Sequence, residues 1–260
     1  PLRLANMGYV PTEIAENLKL PEEFLNESHV QGYYGTVSHN SKAVYAKYLG
    51  WYDGNPANLN PLPPVESAEK YVEYMGGTEE LVRKATKAFE EGDYRWVVQV
   101  MNHAVFADPT NTGVRNLQAD AFEQLGYQSE SGTWRNAYLT AARELRYGSL
   151  RIPASMGRQI AHAITIEHLF DMIGVRFNPE KYDYGPVRIN WHFTDLNEDH
   201  VLGIQRSTIY HDPLRKDDDA NAAIITTRKT IARILGAQET LQEALASEDL
   251  VIEGDERLVK

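Results

Sequence analysis

Apolar residues recur every three or four positions through the middle of the chain. Leu81, Val82, Ala85 and Phe89 make one such stripe; Tyr94, Val97, Val98, Met101 and Val105 make a second; Val114, Leu117, Ala121 and Leu125 make a third. Residues at that spacing share one helix face, so the pattern predicts amphipathic helices. Helix signals punctuate the stripes. Pro64 opens one helix that Gly76-Gly77 ends, and Thr78 caps the next. A third begins at Asp93 and stops at Asp108-Pro109, a fourth ends at Gly126, and a fifth runs from about Ser131 to Leu145. Residues 64 to 148 therefore read as helical throughout. Gly92-Asp93-Tyr94 is echoed by Gly126-Tyr127, 34 residues further on, and about 34 residues is the tetratricopeptide period. A repeat-like array is expected, with an ordinary helical bundle as the plain alternative. One repeat cannot cover its own apolar face, so the leftover surface should pack against neighbouring domains or a second copy of the chain.

The flanks differ. Before residue 60, Thr12 is a candidate cap for a helix from Glu13 to Leu18, and Pro21 starts a short helical stretch. A Gly/Tyr/Asn-rich run, Gly32-Tyr33-Tyr34-Gly35-Thr36-Val37-Ser38-His39-Asn40, precedes a helix through Ala43, Val44, Lys47 and Tyr48 that Gly50 closes. Asn55-Pro56 and the proline-rich string from Asn60 to Pro64 read as a domain connector. After residue 150 the period changes. Met156, Ile160, Ala163, Ile164 and Ile173 mark a helix ended by Gly174. Then Val187, Ile189, Trp191 and Phe193 alternate with Arg188, Asn190, His192 and Thr194, which is strand spacing. Asp195 to Asp199 supplies a turn, and Val201–Gln205, Thr208–His211 and Ala222–Thr227 follow as the strands of an expected meander. Helices over Lys229–Leu235 and Leu241–Ala246 and a strand Leu250-Val251-Ile252 complete an α+β layer domain.

Composition narrows the function classes. The 260 residues carry 26 Lys+Arg against 37 Asp+Glu, a formal net charge of −11. That balance argues against bulk binding to nucleic acid or an anionic membrane, since a footprint on phosphates needs a positive face. With no Cys, disulfides, thiolate zinc sites and a cysteine nucleophile are excluded. No apolar stretch approaches the roughly 20 residues of a bilayer span. The chain opens at Pro1 and stops at Lys260 in what reads as an unfinished helix, so a piece of a longer protein is expected.

The eight histidines are scattered, and no P-loop, dinucleotide fingerprint or serine elbow occurs. His39 has the most suggestive setting, in a Gly/Tyr/Ser/Asn loop just before a helix, where binding residues concentrate. Metal ligation and a merely hydrogen-bonded loop histidine are both open for it. His103 reads as a half-buried packing residue, and Asp217-Asp218-Asp219 as a solvated acidic loop. Arg3 offers a forked donor suited to a tetrahedral oxyanion, with an exposed surface role as the alternative. Tyr33, Tyr34 and Trp51 could wall a pocket or belong to the core.

The string Tyr33-Tyr34-Gly35-Thr36-Val37-Ser38-His39-Asn40 resembles that of the linear alkyl sulfatases of the metallo-β-lactamase superfamily. The likeness continues through Tyr48-Leu49-Gly50-Trp51-Tyr52-Asp53-Gly54-Asn55-Pro56, Tyr71 to Gly77, Gly92-Asp93-Tyr94-Arg95-Trp96 and Asn102 to Pro109. It goes on through Leu125 to Asn136 and Arg143 to Gly148, and covers essentially the whole chain. The resemblance implies a multidomain α+β protein in three parts. Residues 1–60 would be the end of a metallo-β-lactamase αββα domain and 61–149 an all-α, tetratricopeptide-like dimerisation domain. Residues 150–260 would be a truncated α+β domain similar to sterol carrier proteins. It implies hydrolysis of alkyl sulfate esters such as dodecyl sulfate, two zinc ions per site, a homodimer through the helical domain and a periplasmic or secreted location. It makes His39 the final zinc ligand, the others lying upstream of Pro1, and Arg3 a sulfate-binding residue. Where some relatives carry a histidine after the Asn6 position, this chain has Met7. A lipid-binding and dimerisation module without chemistry, and another hydrolase of the same superfamily, stand as competing readings.

Overall fold

The computed structural model describes residues 1–150 and 163–258, so Met156, Ile160 and His162 lie outside the described residues. The chain forms two compact units, Pro1–Leu150 and Arg151–Lys260.

The first unit is helical. Short helices α1 (Leu2–Ala5) and α2 (Pro11–Asn17) precede α3 (Val37–Leu49). The cap of α2 is Val10, two residues earlier than Thr12 would place it, because Pro11 takes the first helical position and the Glu13 carboxylate accepts from the Val10 N–H at 3.0 Å. Then come α4 (Pro64–Tyr74), α5 (Thr78–Glu90), α6 (Tyr94–Ala107), α7 (Thr112–Gln128) and α8 (Gly132–Tyr147). Gly76 and Gly77 sit at φ 98° and 88°, left-handed values that only glycine adopts cheaply, which is why α4 ends there. α6 is central, packing against α4, α5 and α7. It buries Val97, Val100, Met101 and Ala104 among Leu81, Ala85, Val114 and Ala121, each large side chain contributing about 1.5–3 kcal/mol.

Two glycines act differently from their sequence reading. α7 runs through Gly126 to Gln128, and the second unit's α9 (Ile166–Arg176) runs through Gly174. Gly126 is there for close approach: a Cβ on it would stand 2.7 Å from Leu139 Cδ2 of α8.

The second unit packs α9, α10 (Arg228–Leu235) and α11 (Leu241–Ala246) with a sheet of β1 (Val187–Phe193), β2 (Glu198–Gln205), β3 (Thr208–Asp212), β4 (Ala222–Thr226) and β5 (Leu250–Gly254). The sheet order is β3-β2-β1-β4-β5, and β4 runs parallel to β1. The expected meander is thus corrected. Only β1 to β3 form one; the chain then returns past β1, whose seven residues are buried enough to need a partner on both edges. Val187, Ile189, Trp191 and Phe193 do share the core face, around Phe170 of α9. Asn190, placed by alternation on the polar face, is 7 % exposed because its amide brackets Asp217: Nδ2 donates to the Asp217 carbonyl at 2.8 Å, and Oδ1 accepts from the Asp217 N–H at 3.0 Å. Asp217 also pairs with Arg188 at 3.0 Å. Asp217 is therefore anchored to the sheet, while Asp218 and Asp219 are exposed, as a solvated acidic loop would be.

Candidate functional site

His39 lies in the first turn of α3. Thr36 caps that helix, its Oγ1 accepting from the His39 N–H at 2.9 Å. The loop leading in is held by the head of α8, almost a hundred residues later. The Gly132 N–H donates to the Tyr33 carbonyl at 2.7 Å. The hydroxyls of Ser131 and Thr133 both donate to the Tyr34 carbonyl at 2.6 Å. Ser131 is 2 % exposed and is also the cap of α8, accepting from the Trp134 N–H. A Cβ on Gly35 would meet the exposed Asn40 amide at 3.0 Å, so that side chain would have to shift to admit one.

Trp134 completes the clamp. Its indole N–H donates to His39 Nδ1 at 3.3 Å, and the two rings meet edge-on with centroids 6.3 Å apart. The indole is held in turn by Tyr138, edge-on at 6.4 Å, and by the Lys42 ammonium 5.8 Å from the ring centroid. Beside this clamp lies an open cleft of about 620 Å³, lined by Thr36, Ser38, Lys42, Arg95, Ser131 and Trp134 among others. Across it Arg95 pairs with Glu16 at 2.8 Å. That hydrogen bond and charge hold the Glu16 carboxyl below its ordinary pKa and the guanidinium above its own.

Arg3 sits on α1, which touches α3. Its Nη1 contacts Met7 Sδ at 3.5 Å, and among the described residues no hydrogen bond joins it to His39. Tyr33, Tyr34 and Trp51 are 53 %, 82 % and 74 % exposed, so they belong to the surface rather than the core. His103 stacks on Tyr71 at 4.5 Å, as a packing residue would. In the second unit His192 pairs with Asp199 at 2.9 Å. The void between α9 and α10 is only about 10 Å³, enough for a water at most and far from an alkyl chain.

The donor set does not by itself fit a zinc site. Among the described residues no three His, Asp or Glu side chains converge on a point that could hold an ion, and one of His39's two nitrogens is already engaged by Trp134. A zinc ion needs three or four ligands. The residues that sequence reading passed over are Ser131, Thr133 and Trp134. The Ser-Gly-Thr-Trp string was visible, but a separation of 95 to 99 residues hides which loop it grips.

Two family models match the chain. Residues 10–148 match the model described as alkyl sulfatase dimerisation, and residues 154–260 the one described as alkyl sulfatase C-terminal. The chain belongs to the alkyl sulfatase family. It is 43% identical over 256 residues to a linear primary-alkylsulfatase of Pseudomonas sp, covering 98% of this chain and 38% of that protein. It is 46% identical over 254 residues to the alkyl/aryl-sulfatase BDS1 of Saccharomyces cerevisiae, covering 98% of this chain and 39% of that protein. The solved structure of the stereoselective inverting sec-alkylsulfatase Pisa1 from Pseudomonas sp. is similar with a TM-score of 0.90 and 40% identity, over 99% of this chain and 41% of that one. The chain thus spans about two fifths of the length of the relatives it matches.

Proposed function

We propose that the whole protein to which this chain belongs hydrolyses alkyl sulfate esters, such as dodecyl sulfate, to the alcohol and sulfate. What supports this reading is the 43% identity, over 98% of the chain, to a protein named for that class of substrate. In this proposal a metallo-β-lactamase-type domain upstream holds two zinc ions, which supply an activated water when bound. His39 adds one ligand to that set, and Arg3 binds the sulfate group through its forked donors. The tetratricopeptide-like helices of residues 61–149 form a homodimer, residues 1–60 are the end of the metallo-β-lactamase-type catalytic domain, and residues 150–260 are a sterol-carrier-like module. By itself the chain is inert.

Sulfate release from dodecyl sulfate by the whole protein is the test. We expect turnover that His39→Gln abolishes, while Arg3→Ala raises KM more than it lowers kcat. A folded, zinc-loaded whole protein that releases no sulfate from alkyl esters of any length would sink the proposal. A second reading, a binding and dimerisation module without chemistry, draws on the lack of a three-donor cluster among the described residues. It would be favoured by dodecyl sulfate binding without release.

A further inference from the structure

The indole N–H of Trp134 is a donor only. It points at His39 Nδ1 from 3.3 Å, so Nδ1 must present a lone pair. A neutral imidazole has one proton, and with Nδ1 accepting, that proton sits on Nε2. We propose that Trp134 is the positioning residue for His39, fixing both the plane of its ring and the tautomer that carries the proton on Nε2. This inference rests on the reading that His39 belongs to the active site.

Three observations make the arrangement a built one. Trp134 is set by the Ser131 cap and the carbonyl clamp on Tyr33 and Tyr34, so the indole and the histidine loop are registered to each other before the side chains meet. Its ring is fixed on its other side by Tyr138, and Lys42 lies over it. His39 itself is tied at its backbone by Thr36.

The chemical consequence runs against the simplest expectation for this histidine. An Nε2–H edge suits an anionic oxygen, whereas a metal needs a lone pair on the nitrogen it takes. Metal-ligating histidines ordinarily donate from the other ring nitrogen to a carbonyl or carboxylate; here that nitrogen meets a donor. Ligation through Nε2 therefore requires the proton to move to Nδ1 and Trp134 to release it. In the chain alone, His39 is a hydrogen-bond donor, and the Trp134 bond and Nε2 ligation exclude each other.

The test is nitrogen-15 NMR of the 260-residue chain with labelled histidine and tryptophan, at alkaline pH where imidazoles are neutral. His39 is assigned by its loss in His39→Gln. We expect the wild-type His39 to show an unprotonated Nδ1 and a protonated Nε2. Trp134→Phe, which keeps a ring against Tyr138 but removes the N–H, should return His39 to the mixed tautomers of a free imidazole. A second arm guards against a variant that misfolds. In His39→Ala, an exposed substitution, the Trp134 indole proton should shift and exchange with solvent several-fold faster than in wild type. A protonated Nδ1 in wild type, or an indole signal indifferent to His39→Ala, would overturn the proposal. Neither readout depends on sulfate hydrolysis, so a failure of this inference and a failure of the proposed function are distinguishable.

Discussion

Replacing Ser131 by alanine removes one buried hydroxyl with two tasks. As the cap of a 16-residue helix it accepts from a first-turn N–H, and losing such a cap costs about 1 kcal/mol. As a donor to the Tyr34 carbonyl at 2.6 Å it makes a hydrogen bond with a net contribution of about 1 kcal/mol. Thr133 makes the same 2.6 Å contact to that carbonyl but caps nothing and is exposed. Thr133→Val should therefore cost only about 0.5 kcal/mol, against about 2 kcal/mol for Ser131→Ala. For a unit of this size the loss of about 2 kcal/mol lowers Tm by about 4–8 °C in the serine variant. Urea titrations with an unchanged slope would give the two values, and hydrogen exchange at the Gly132 amide would localise them to the clamp. Equal costs for the two variants, or a Ser131→Ala protein as stable as wild type, would refute the reasoning that one hydroxyl unites cap and clamp.

Gly126→Val should destabilise the first unit by about 2 kcal/mol, because its Cβ meets Leu139 at 2.7 Å; a thermal melt followed by helical circular dichroism that shows no loss would contradict this. Phe170→Ala removes a side chain that is 1 % exposed and should cost about 3–5 kcal/mol, seen as faster amide exchange in β1 with the α6 amides unchanged. The Glu80 carboxyl, hydrogen-bonded first by Arg83 and then by Lys84, is held down to about 2 from 4.5. Because the folded value is depressed, its contribution is present above pH 4.5 and fades as pH falls toward about 2. A carbon-detected titration should show that midpoint, and Arg83→Gln should move it upward.

Much of the architecture was legible because it rests on local physics. The helical stripe from Val97 to Met101 and the strand alternation from Val187 to Phe193 report burial directly. Gly76-Gly77 ends a helix through its own backbone freedom. Gly126 and Gly174 misled for the opposite reason: a glycine chosen for close packing looks, in sequence, like one chosen for a left-handed turn. The parallel pairing of β4 with β1 was hidden because side-chain alternation is silent about strand order. At the candidate site, His39 stood out through its loop, whereas Trp134 did not. Its role comes from a contact across 95 residues, which no spacing rule along the chain encodes.

The most direct test of the account is zinc per polypeptide in the whole protein, measured by elemental mass spectrometry beside its His39→Gln variant. About two zinc ions are expected in the wild type and a clear loss in the variant, with dodecyl sulfate hydrolysis falling in step. An unchanged zinc content in His39→Gln, or a whole protein that hydrolyses dodecyl sulfate with no zinc bound, would contradict the place given to His39.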